Sequence, residues 1–276
     1  MSTIARLLEQ ADLPDSPTAV LDSELLLAHA LGKQRSFLRT WPEHQPQPAQ
    51  IEVFQRLLAR RRGGEPIAYL LGEQGFWSLD LRVSDATLIP RPDTERLVEL
   101  ALEHGPAGGA RVLDLGTGTG AVALALASER PAWQITATDV VPAAIALAES
   151  NRARLMLANV RLQQSDWYAA LDSAPFDLIV SNPPYIRSAD PHLQRGDVRY
   201  EPASALVSGD DGLDAIRHII QHAPDYLSKD GWLLLEHGWD QADAVVALLG
   251  ERGFVEARSW QDLGGQQRVS GGRWHG

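Results

Sequence analysis

A four-residue turn carries the most specific chemistry in this sequence. The run Phe176–Val180 is apolar and β-rich, as a strand buried on both faces of a sheet should be. Two prolines then stop the strand, because neither can donate a backbone hydrogen bond to a sheet. The turn offers oxygen acceptors and an aromatic ring to a planar NH2 group, which predicts methylation of an amide or amine nitrogen. Its residues are Asn182, Pro183, Pro184 and Tyr185.

The roles within this turn follow from what a weak nucleophile needs. An amide nitrogen is a poor nucleophile, since its lone pair is delocalised into the carbonyl. The side-chain oxygen of Asn182 and the backbone oxygen of Pro183 can each accept one N–H hydrogen bond, and Tyr185 can cover the planar group. We therefore predict Asn182, Pro183 and Tyr185 as catalytic residues, with Pro184 completing the substrate-binding turn.

A glycine-rich stretch after an earlier strand predicts a cofactor loop. It follows the predicted strand Arg111–Leu115 and opens a helix, and glycine lets the backbone turn tightly and a ligand approach. The spacing G-x-G-x-G differs from the dinucleotide pattern G-x-G-x-x-G. A carboxylate before it, that of Asp114, suits an ammonium group better than a phosphate. The loop consists of Gly116, Thr117, Gly118, Thr119 and Gly120.

Two residues at the ends of the next strands extend this predicted site. Asp139 lies about 20 residues past the glycines, where an acidic side chain can accept hydrogen bonds from both ribose hydroxyls. It can equally cap the helix that begins near Pro142. Trp167 follows the third strand, where its indole either lies beside an adenine ring or packs in the core. The residues alone leave both alternatives open for Asp139 and both for Trp167.

The order of elements predicts an all-α domain followed by an α/β domain. Residues 1–72 have helical patterns, 73–92 form an extended linker or hairpin, and 93–276 alternate strands with helices. The last part predicts a doubly wound, largely parallel sheet with a terminal antiparallel strand. The expected strands are 111–115, 134–138, 161–163, 176–180 and 232–236, then 254–259 and 268–270; the expected helices lie near 119–129, 142–158, 211–228 and 240–251.

The helical domain has two clear amphipathic segments. The first should bury Leu21, Leu25, Ala28 and Leu31 and end at Gly32. The second runs from about residue 48 to residue 63 and should bury one face; its three consecutive arginines are expected to complement the dipole of the helix C-terminus. That face carries Ile51, Phe54, Leu57 and Leu58, and the arginines are 60 to 62.

Composition narrows the class of protein. The chain has 276 residues, 44% hydrophobic and 22% charged, with a net charge of −11 from 25 Lys+Arg and 36 Asp+Glu. Such an acidic balance argues against a protein that grips a nucleic-acid backbone. We expect no membrane span, no signal peptide and a cytoplasmic location. The absence of cysteine excludes disulfides, and we predict no metal site.

The glycine loop, Asp139 and the Asn182–Tyr185 turn together resemble the class I S-adenosylmethionine-dependent methyltransferases over residues of about 90–276. That resemblance implies a Rossmann-like sheet and S-adenosyl-L-methionine as the cofactor, with S-adenosyl-L-homocysteine as the product. It also implies that Gly116–Gly120, Asp139, Trp167 and Asn182 bind the cofactor.

Two further segments make the resemblance more specific. Leu88–Glu95 joins the predicted domains, and Asp197–Leu206 follows the catalytic turn. With that turn they resemble the HemK/PrmC family, the peptide chain release factor N5-glutamine methyltransferases, over nearly the whole chain. This implies methylation of the glutamine in the Gly-Gly-Gln motif of class 1 release factors. It also implies a helical domain that contacts the release factor; we expect a monomer.

Alternatives remain at this level. The same type of turn occurs in adenine-N6 methyltransferases acting on DNA or RNA, although such enzymes flip a base and normally need a basic recognition region. A catalytically silent module that binds the cofactor and docks on a partner is a third hypothesis. Arg91 and Glu201 are expected to shape the pocket. Glu236 and His237 form either an acid–base dyad or a packing and capping element, of which we favour the latter.

Overall fold

The computed structural model describes residues 2–172, 175–194 and 196–276. The chain forms two compact units. One comprises Met1–Glu73 and His192–Tyr200, and the other comprises Gln74–Pro191 and Glu201–Gly276. The segment His192–Tyr200, which follows the turn Asn182–Tyr185 in the chain, thus belongs to the N-terminal unit, and the larger unit resumes at Glu201.

The N-terminal unit is built from short helices around one apolar core. Thr3 caps the first helix by accepting a hydrogen bond from the Arg6 backbone N–H, and Gly32 ends the second in the left-handed region. Ile4, Leu26 and Phe54 are almost completely buried in this core. The helices are α1 Ile4–Glu9, α2 Ala19–Leu31, α3 Arg35–Thr40, α4 Pro48–Arg62 and α5 Ile67–Leu71.

The buried face of α2 differs from the sequence prediction. Leu21 was expected in the core, but it is exposed, and Leu25 is only half-buried. Leu26 and Leu27 are buried in their place, with Ala28 and Leu31 as predicted. The prediction was wrong because the first turn of α2 buries polar side chains, which a purely apolar pattern cannot reveal. Those side chains are Asp22, Ser23 and Glu24.

The three arginines end α4 as predicted, but the middle one is not a solvated charge. Arg61 donates hydrogen bonds to Asp22 at 2.8 Å and to Asp197 at 2.9 Å, and its side chain is 9% exposed. Arg199 and Tyr200 both donate to the carbonyl of Gly63, which follows the helix. These contacts attach the 196–200 segment to the C-terminal end of α4 within the same unit.

The larger unit begins with a hairpin and continues as an α/β sheet. Phe76 and Leu81 of the hairpin are buried in the core that also contains Leu97 and Val98. The hairpin strands are β1 Glu73–Phe76 and β2 Leu79–Arg82. The sheet strands are β3 Arg111–Leu115, β4 Gln134–Asp139, β5 Val160–Gln164, β6 Phe176–Ser181, β7 Leu227–Glu236, β8 Val255–Gln261 and β9 Gln267–Arg273. The helices are α6 Glu95–His104, α7 Ala121–Glu129, α8 Pro142–Leu155, α9 Asp214–His222 and α10 Ala242–Arg252.

Seven strands of the described chain form one sheet in the order β5-β4-β3-β6-β7-β9-β8. The pairs from β5 to β7 are parallel, and β9 is antiparallel to both β7 and β8. The predicted doubly wound sheet with an antiparallel terminal strand is therefore confirmed. The chain order reverses between β3 and β6, and ligands of such sheets bind beyond the carboxyl ends of the strands at this point.

Most predicted boundaries agree with the structure, with one clear exception. The helix expected over 211–228 spans only Asp214–His222, and a short 3-10 turn, Ala223–Asp225, follows. Pro224 lies in that turn, where it cannot donate the backbone hydrogen bond that a longer α-helix would need. As a result β7 begins at Leu227 rather than at residue 232.

Candidate active site

A cavity lies beyond the carboxyl ends of β3, β4 and β6, at the point where the strand order reverses. It brings together the glycine loop, Asp139, Trp167 and Asn182, which the sequence placed at four separate strand ends. Pro184 also lines it, whereas Gly120, Pro183 and Tyr185 lie outside the lining. Residues that our sequence reasoning did not assign complete the walls: Ala86, Thr87, Leu88, Pro90, Thr94, Ala121, Val122, Val140, Val141, Ala144, Ser165, Asp166, Ser204 and Ala205, together with Asp114.

The glycine loop takes a conformation that side chains disfavour. Gly116, Gly118 and Gly120 have φ of 72°, 55° and 85°, in the left-handed region that glycine adopts without steric cost. A Cβ on Gly120 would come within 2.9 Å of Leu124 Cδ1, so the third glycine is needed for close packing of α7 rather than for the cavity wall.

Asp114 holds this loop and the start of α7 by hydrogen bonds. Its Oδ2 accepts hydrogen bonds from the Thr117 hydroxyl at 2.6 Å and from the Ala123 backbone N–H at 3.2 Å. Burial raises the pKa of this carboxyl to about 7, against the smaller opposing effects of those two hydrogen bonds. Asp114 also lines the cavity, so its predicted attraction for an ammonium group stays a prediction beside this structural role.

Asp139 joins the second strand to the loop. Oδ2 accepts the Gly118 N–H and Oδ1 accepts the Val141 N–H, both at 2.9 Å. The second bond lies just before α8, so the capping interpretation has a structural basis. A carboxylate has about four lone-pair sites, so each oxygen keeps capacity to accept a ligand hydroxyl. The two interpretations of Asp139 are therefore compatible.

Trp167 lies beside the first glycine in a strained backbone conformation. Its φ is 47°, which is uncommon for a bulky side chain, and such strain often occurs at functional sites. A Cβ added to Gly116 would be 3.7 Å from the Trp167 ring. The indole and the exposed side chain of Val140 give this part of the cavity an apolar surface.

The turn Asn182–Tyr185 presents Asn182 to the cavity in a defined orientation. Asn182 Nδ2 donates to Thr94 Oγ1 at 3.1 Å. Among the described residues, no donor occupies Asn182 Oδ1 or the Pro183 carbonyl. Both predicted acceptors of a substrate N–H are thus available within the described part of the chain.

Tyr185 points to a buried carboxyl group. Its hydroxyl donates to Glu236 Oε1 at 3.3 Å, and burial followed by the charge of Glu236 raises the pKa of Tyr185. Because Tyr185 packs in the core beside β7 and does not line the cavity, its predicted contact with the substrate group stays a prediction.

The side chains of Glu236 and His237 bond different partners. His237 is buried, with its ring nitrogens 2.8 Å from the Gly238 carbonyl and 2.7 Å from Ser270 Oγ, and burial lowers its pKa. Glu236 Oε1 instead accepts the Tyr185 hydroxyl. Burial raises the pKa of Glu236 to about 7, although Thr94, Arg268 and Tyr185 oppose that rise.

The linker and the later segment are tied together at the cavity rim. Glu201, whose side chain is fully buried, accepts hydrogen bonds from the Ile89 backbone N–H at 3.0 Å and from Arg91 at 2.7 Å. This links the rim residues Leu88 and Pro90 to the segment that carries Ser204 and Ala205. Arg91 and Glu201 thus shape the pocket by holding its walls.

Sequence reasoning missed the contribution of Thr94. Thr94 is the N-cap of α6, but its side chain makes no capping hydrogen bond. It accepts from Asn182 instead. The only available signal was its place in the segment that leads into α6, because a contact between residues 94 and 182 has no local pattern.

Comparison with known proteins decides the family. Residues 2–72 match the family described as the PrmC N-terminal domain, and residues 94–196 match the methyltransferase small domain. The release factor glutamine methyltransferase of Pseudomonas aeruginosa is 61% identical over 99% of both chains. That of Shewanella oneidensis is 52% identical over 95% of this chain and 91% of its own.

The chain belongs to the release factor glutamine methyltransferase family. A solved structure of the T. thermophilus 16S rRNA methyltransferase RsmC, in complex with AdoMet and guanosine, has the same sheet fold. The two align with a TM-score of 0.54 at 20% identity, over 73% of this chain and 49% of that one. The fold of the larger unit is that of the S-adenosylmethionine-dependent methyltransferases.

Both relatives named above are glutamine methyltransferases. The alternative hypothesis of an adenine-N6 methyltransferase is therefore not favoured. In the described residues, no helix is both long enough and apolar enough to cross a bilayer.

Proposed function

We propose that the protein transfers the methyl group of S-adenosyl-L-methionine to the side-chain amide nitrogen, N5, of the glutamine in the Gly-Gly-Gln motif of class 1 release factors. The observation that carries this proposal is the orientation of Asn182, whose oxygen is left for an N–H donor in a cavity shared with the glycine loop. Family membership supports the choice of glutamine over adenine.

The cavity lining fits the cofactor by its chemistry. Asp139 supplies acceptors for hydroxyl groups, Trp167 and Val140 supply an apolar surface for a purine, and the glycine loop supplies a wall without side chains. Gly116, Thr117, Gly118, Thr119, Asp139, Trp167 and Asn182 would hold it, and Gly120 would act by packing the loop against α7. When bound, the cofactor would supply an electrophilic methyl group and leave as S-adenosyl-L-homocysteine, while the proton lost by the methylated nitrogen would pass to water.

The protein's own residues bind and orient the acceptor. Asn182 Oδ1 and the Pro183 carbonyl each accept one N–H of the glutamine amide, which fixes its plane and the direction of the nitrogen. As the N–H groups become more acidic during transfer these hydrogen bonds strengthen, so they favour the transition state over the ground state. Pro184 and Tyr185 keep the turn rigid, since Tyr185 is held by Glu236.

The N-terminal unit serves, in this proposal, to dock the release factor. Its match to the PrmC N-terminal domain supports a role that is particular to this family rather than to methyltransferases in general. We further propose that the enzyme works as a monomer in the cytoplasm.

Labelled cofactor tests the proposal directly. The purified protein is incubated with labelled S-adenosylmethionine and either a class 1 release factor or nucleic acid, and the site of label is found by mass spectrometry. We expect label on the glutamine of Gly-Gly-Gln and none in nucleic acid. Label in nucleic acid alone would contradict the proposal.

Two controls sharpen the result. A release factor whose Gly-Gly-Gln glutamine is changed to alanine should take no label. This chain carries its own Gly264-Gly265-Gln266 in a hairpin turn, so a Gln266→Ala enzyme is the second control, and it should label the release factor as the wild type does.

Asn182→Ala should lose about 100-fold or more in kcat, as when an oriented polar group is removed from an active site. This variant should still bind the cofactor. If the protein were a catalytically silent docking module, the same change would have no effect on turnover.

A further inference from the structure

We infer that Thr94 is a positioning residue that holds the Asn182 amide with its oxygen toward the cavity. The inference deepens the proposed function, on which it rests for the identity of the acceptor. Thr94 lies just before α6 and Asn182 just after β6, so the contact joins two elements of the larger unit.

The argument starts from the two possible orientations of an asparagine side chain. Its oxygen accepts and its NH2 donates, and the two ends have nearly the same shape. Only the orientation with Nδ2 toward Thr94 leaves Oδ1 for the N–H of a substrate amide. In the opposite orientation an NH2 would meet the NH2 of the substrate, and neither could accept.

Thr94 supplies the acceptor that holds this orientation. A hydroxyl has one O–H donor and two lone pairs. Asn182 Nδ2 donates to Thr94 Oγ1 at 3.1 Å. With its nitrogen engaged there, Asn182 leaves Oδ1 for the cavity, which Thr94 also lines.

The surroundings make this arrangement sensitive to a single group. Thr94 is 4% exposed, so within this buried contact there is little room for water to replace a lost partner. Separate hydrogen bonds thus hold the two ends of the turn, Asn182 to Thr94 and Tyr185 to Glu236.

Removal of the Thr94 hydroxyl tests the inference. Thr94→Val keeps the shape but cannot accept from Asn182, so we expect kcat to fall about 10- to 100-fold, as for a misplaced catalytic group, with cofactor Kd nearly unchanged. Thr94→Ser restores the hydroxyl and should recover most of the lost rate. Ser23→Ala is the matched control, because it removes another buried hydroxyl that bonds a helix carbonyl, and it should leave kcat unchanged.

Two outcomes would overturn the inference. One is wild-type kcat in Thr94→Val, and the other is a Thr94→Ser variant that recovers none of the lost rate.

A spectroscopic measurement separates this inference from the proposed function. The side-chain NH2 signal of Asn182, assigned by its loss in Asn182→Ala, should exchange slowly in the wild type and faster in Thr94→Val. This result needs no substrate. If the wild type labels adenine rather than glutamine, the proposed function is wrong. The inference about Thr94 is then tested by comparing kcat of the Thr94 variants with adenine as the acceptor. Equal exchange in wild type and Thr94→Val would contradict the inference even if release factor is methylated.

Discussion

Asp139 holds the glycine loop to the second strand of the sheet through a hydrogen bond from the Gly118 N–H to Asp139 Oδ2, 2.9 Å long. The same carboxylate accepts from Val141 N–H at the start of the following helix. Asp139, which the sequence predicted as a ribose ligand, therefore also shapes the loop that would surround the cofactor. Loss of its carboxylate should affect both ribose binding and the loop conformation.

Substitution of Asp139 should therefore weaken cofactor binding strongly. Asp139→Ala removes the acceptors for both backbone N–H groups and for ligand hydroxyls, so we expect the Kd of S-adenosylmethionine to rise about 100-fold, as for the loss of hydrogen bonds to a charged group. Isothermal titration calorimetry measures this. Asp15→Ala, an exposed aspartate of the N-terminal unit, is the control and should leave Kd unchanged. An unaltered Kd in Asp139→Ala would contradict the assignment.

Gly120 should tolerate no side chain, although it does not line the cavity. Gly120→Ala combines a left-handed φ of 85° with a Cβ that would meet Leu124 Cδ1 at 2.9 Å and Ala148 Cβ at 3.3 Å. We expect it to lower the unfolding free energy by about 2–4 kcal/mol, from backbone strain plus overpacking. Urea denaturation followed by tryptophan fluorescence measures the loss.

Gly265 supplies the comparison for this prediction. Gly265→Ala has a similar φ of 79° but nothing within 4 Å of the added Cβ, so it should cost only the strain, about 1 kcal/mol. Equal losses for the two variants would show that close packing of α7 contributes nothing at Gly120.

The buried carboxyl groups of Asp114 and Glu236 should make the larger unit less stable as pH rises. Burial raises both pKa values to about 7, above the values near 4 that these groups have in an unfolded chain. The folded state then binds more protons than the unfolded state between about pH 4 and pH 7, so the unfolding free energy falls across that window. One unit of pKa corresponds to about 1.4 kcal/mol, so the fall is on the order of a few kcal/mol per group.

Urea denaturation at pH 5 and at pH 8 measures this dependence. Asp114→Asn cannot ionise, so it should flatten the difference between the two pH values relative to wild type. A slope that is unchanged in this variant would mean that Asp114 stays ionised in the folded protein across the range.

Arg61 should be the arginine of its triplet on which the N-terminal unit depends. Arg61→Ala leaves the 5% exposed side chain of Asp22 buried without its cation, and removal of one partner of a buried ion pair costs about 3–5 kcal/mol. Because Ser16 and Thr18 also donate to Asp22, we expect a loss near the lower limit.

The neighbouring residue is a matched control for that charge. Arg60→Ala removes an arginine that pairs with Glu65 at the surface, and exposed pairs contribute about 0–1 kcal/mol. Thermal unfolding of the two variants, followed by circular dichroism, compares them. A melting temperature for Arg61→Ala as high as that for Arg60→Ala would mean that the buried ion pair adds no net stability.

The larger unit could be predicted closely because its signals are local. β3 spans Arg111–Leu115 as expected, since a short apolar run followed by glycine turn residues is typical of a buried strand. The helix after β7 and the terminal hairpin also lie where their patterns indicated. Prediction failed in α2, where Asp22 is buried by partners as far along the chain as Arg61 and no local pattern reports such a pair.

The candidate site divides in the same way. The sequence by itself determined the glycine loop, the acidic residue at 139 and the catalytic turn, because their backbone requirements are written in short stretches of glycine and proline. Only the tertiary structure decided that Asn182 is oriented by Thr94, that Tyr185 turns toward Glu236, and that Asp139 holds the loop. The physical reason is that a hydrogen bond between distant residues depends on how strands and helices pack. That packing brings residue 182 to 94 and residue 185 to 236 without leaving any periodic trace in the chain.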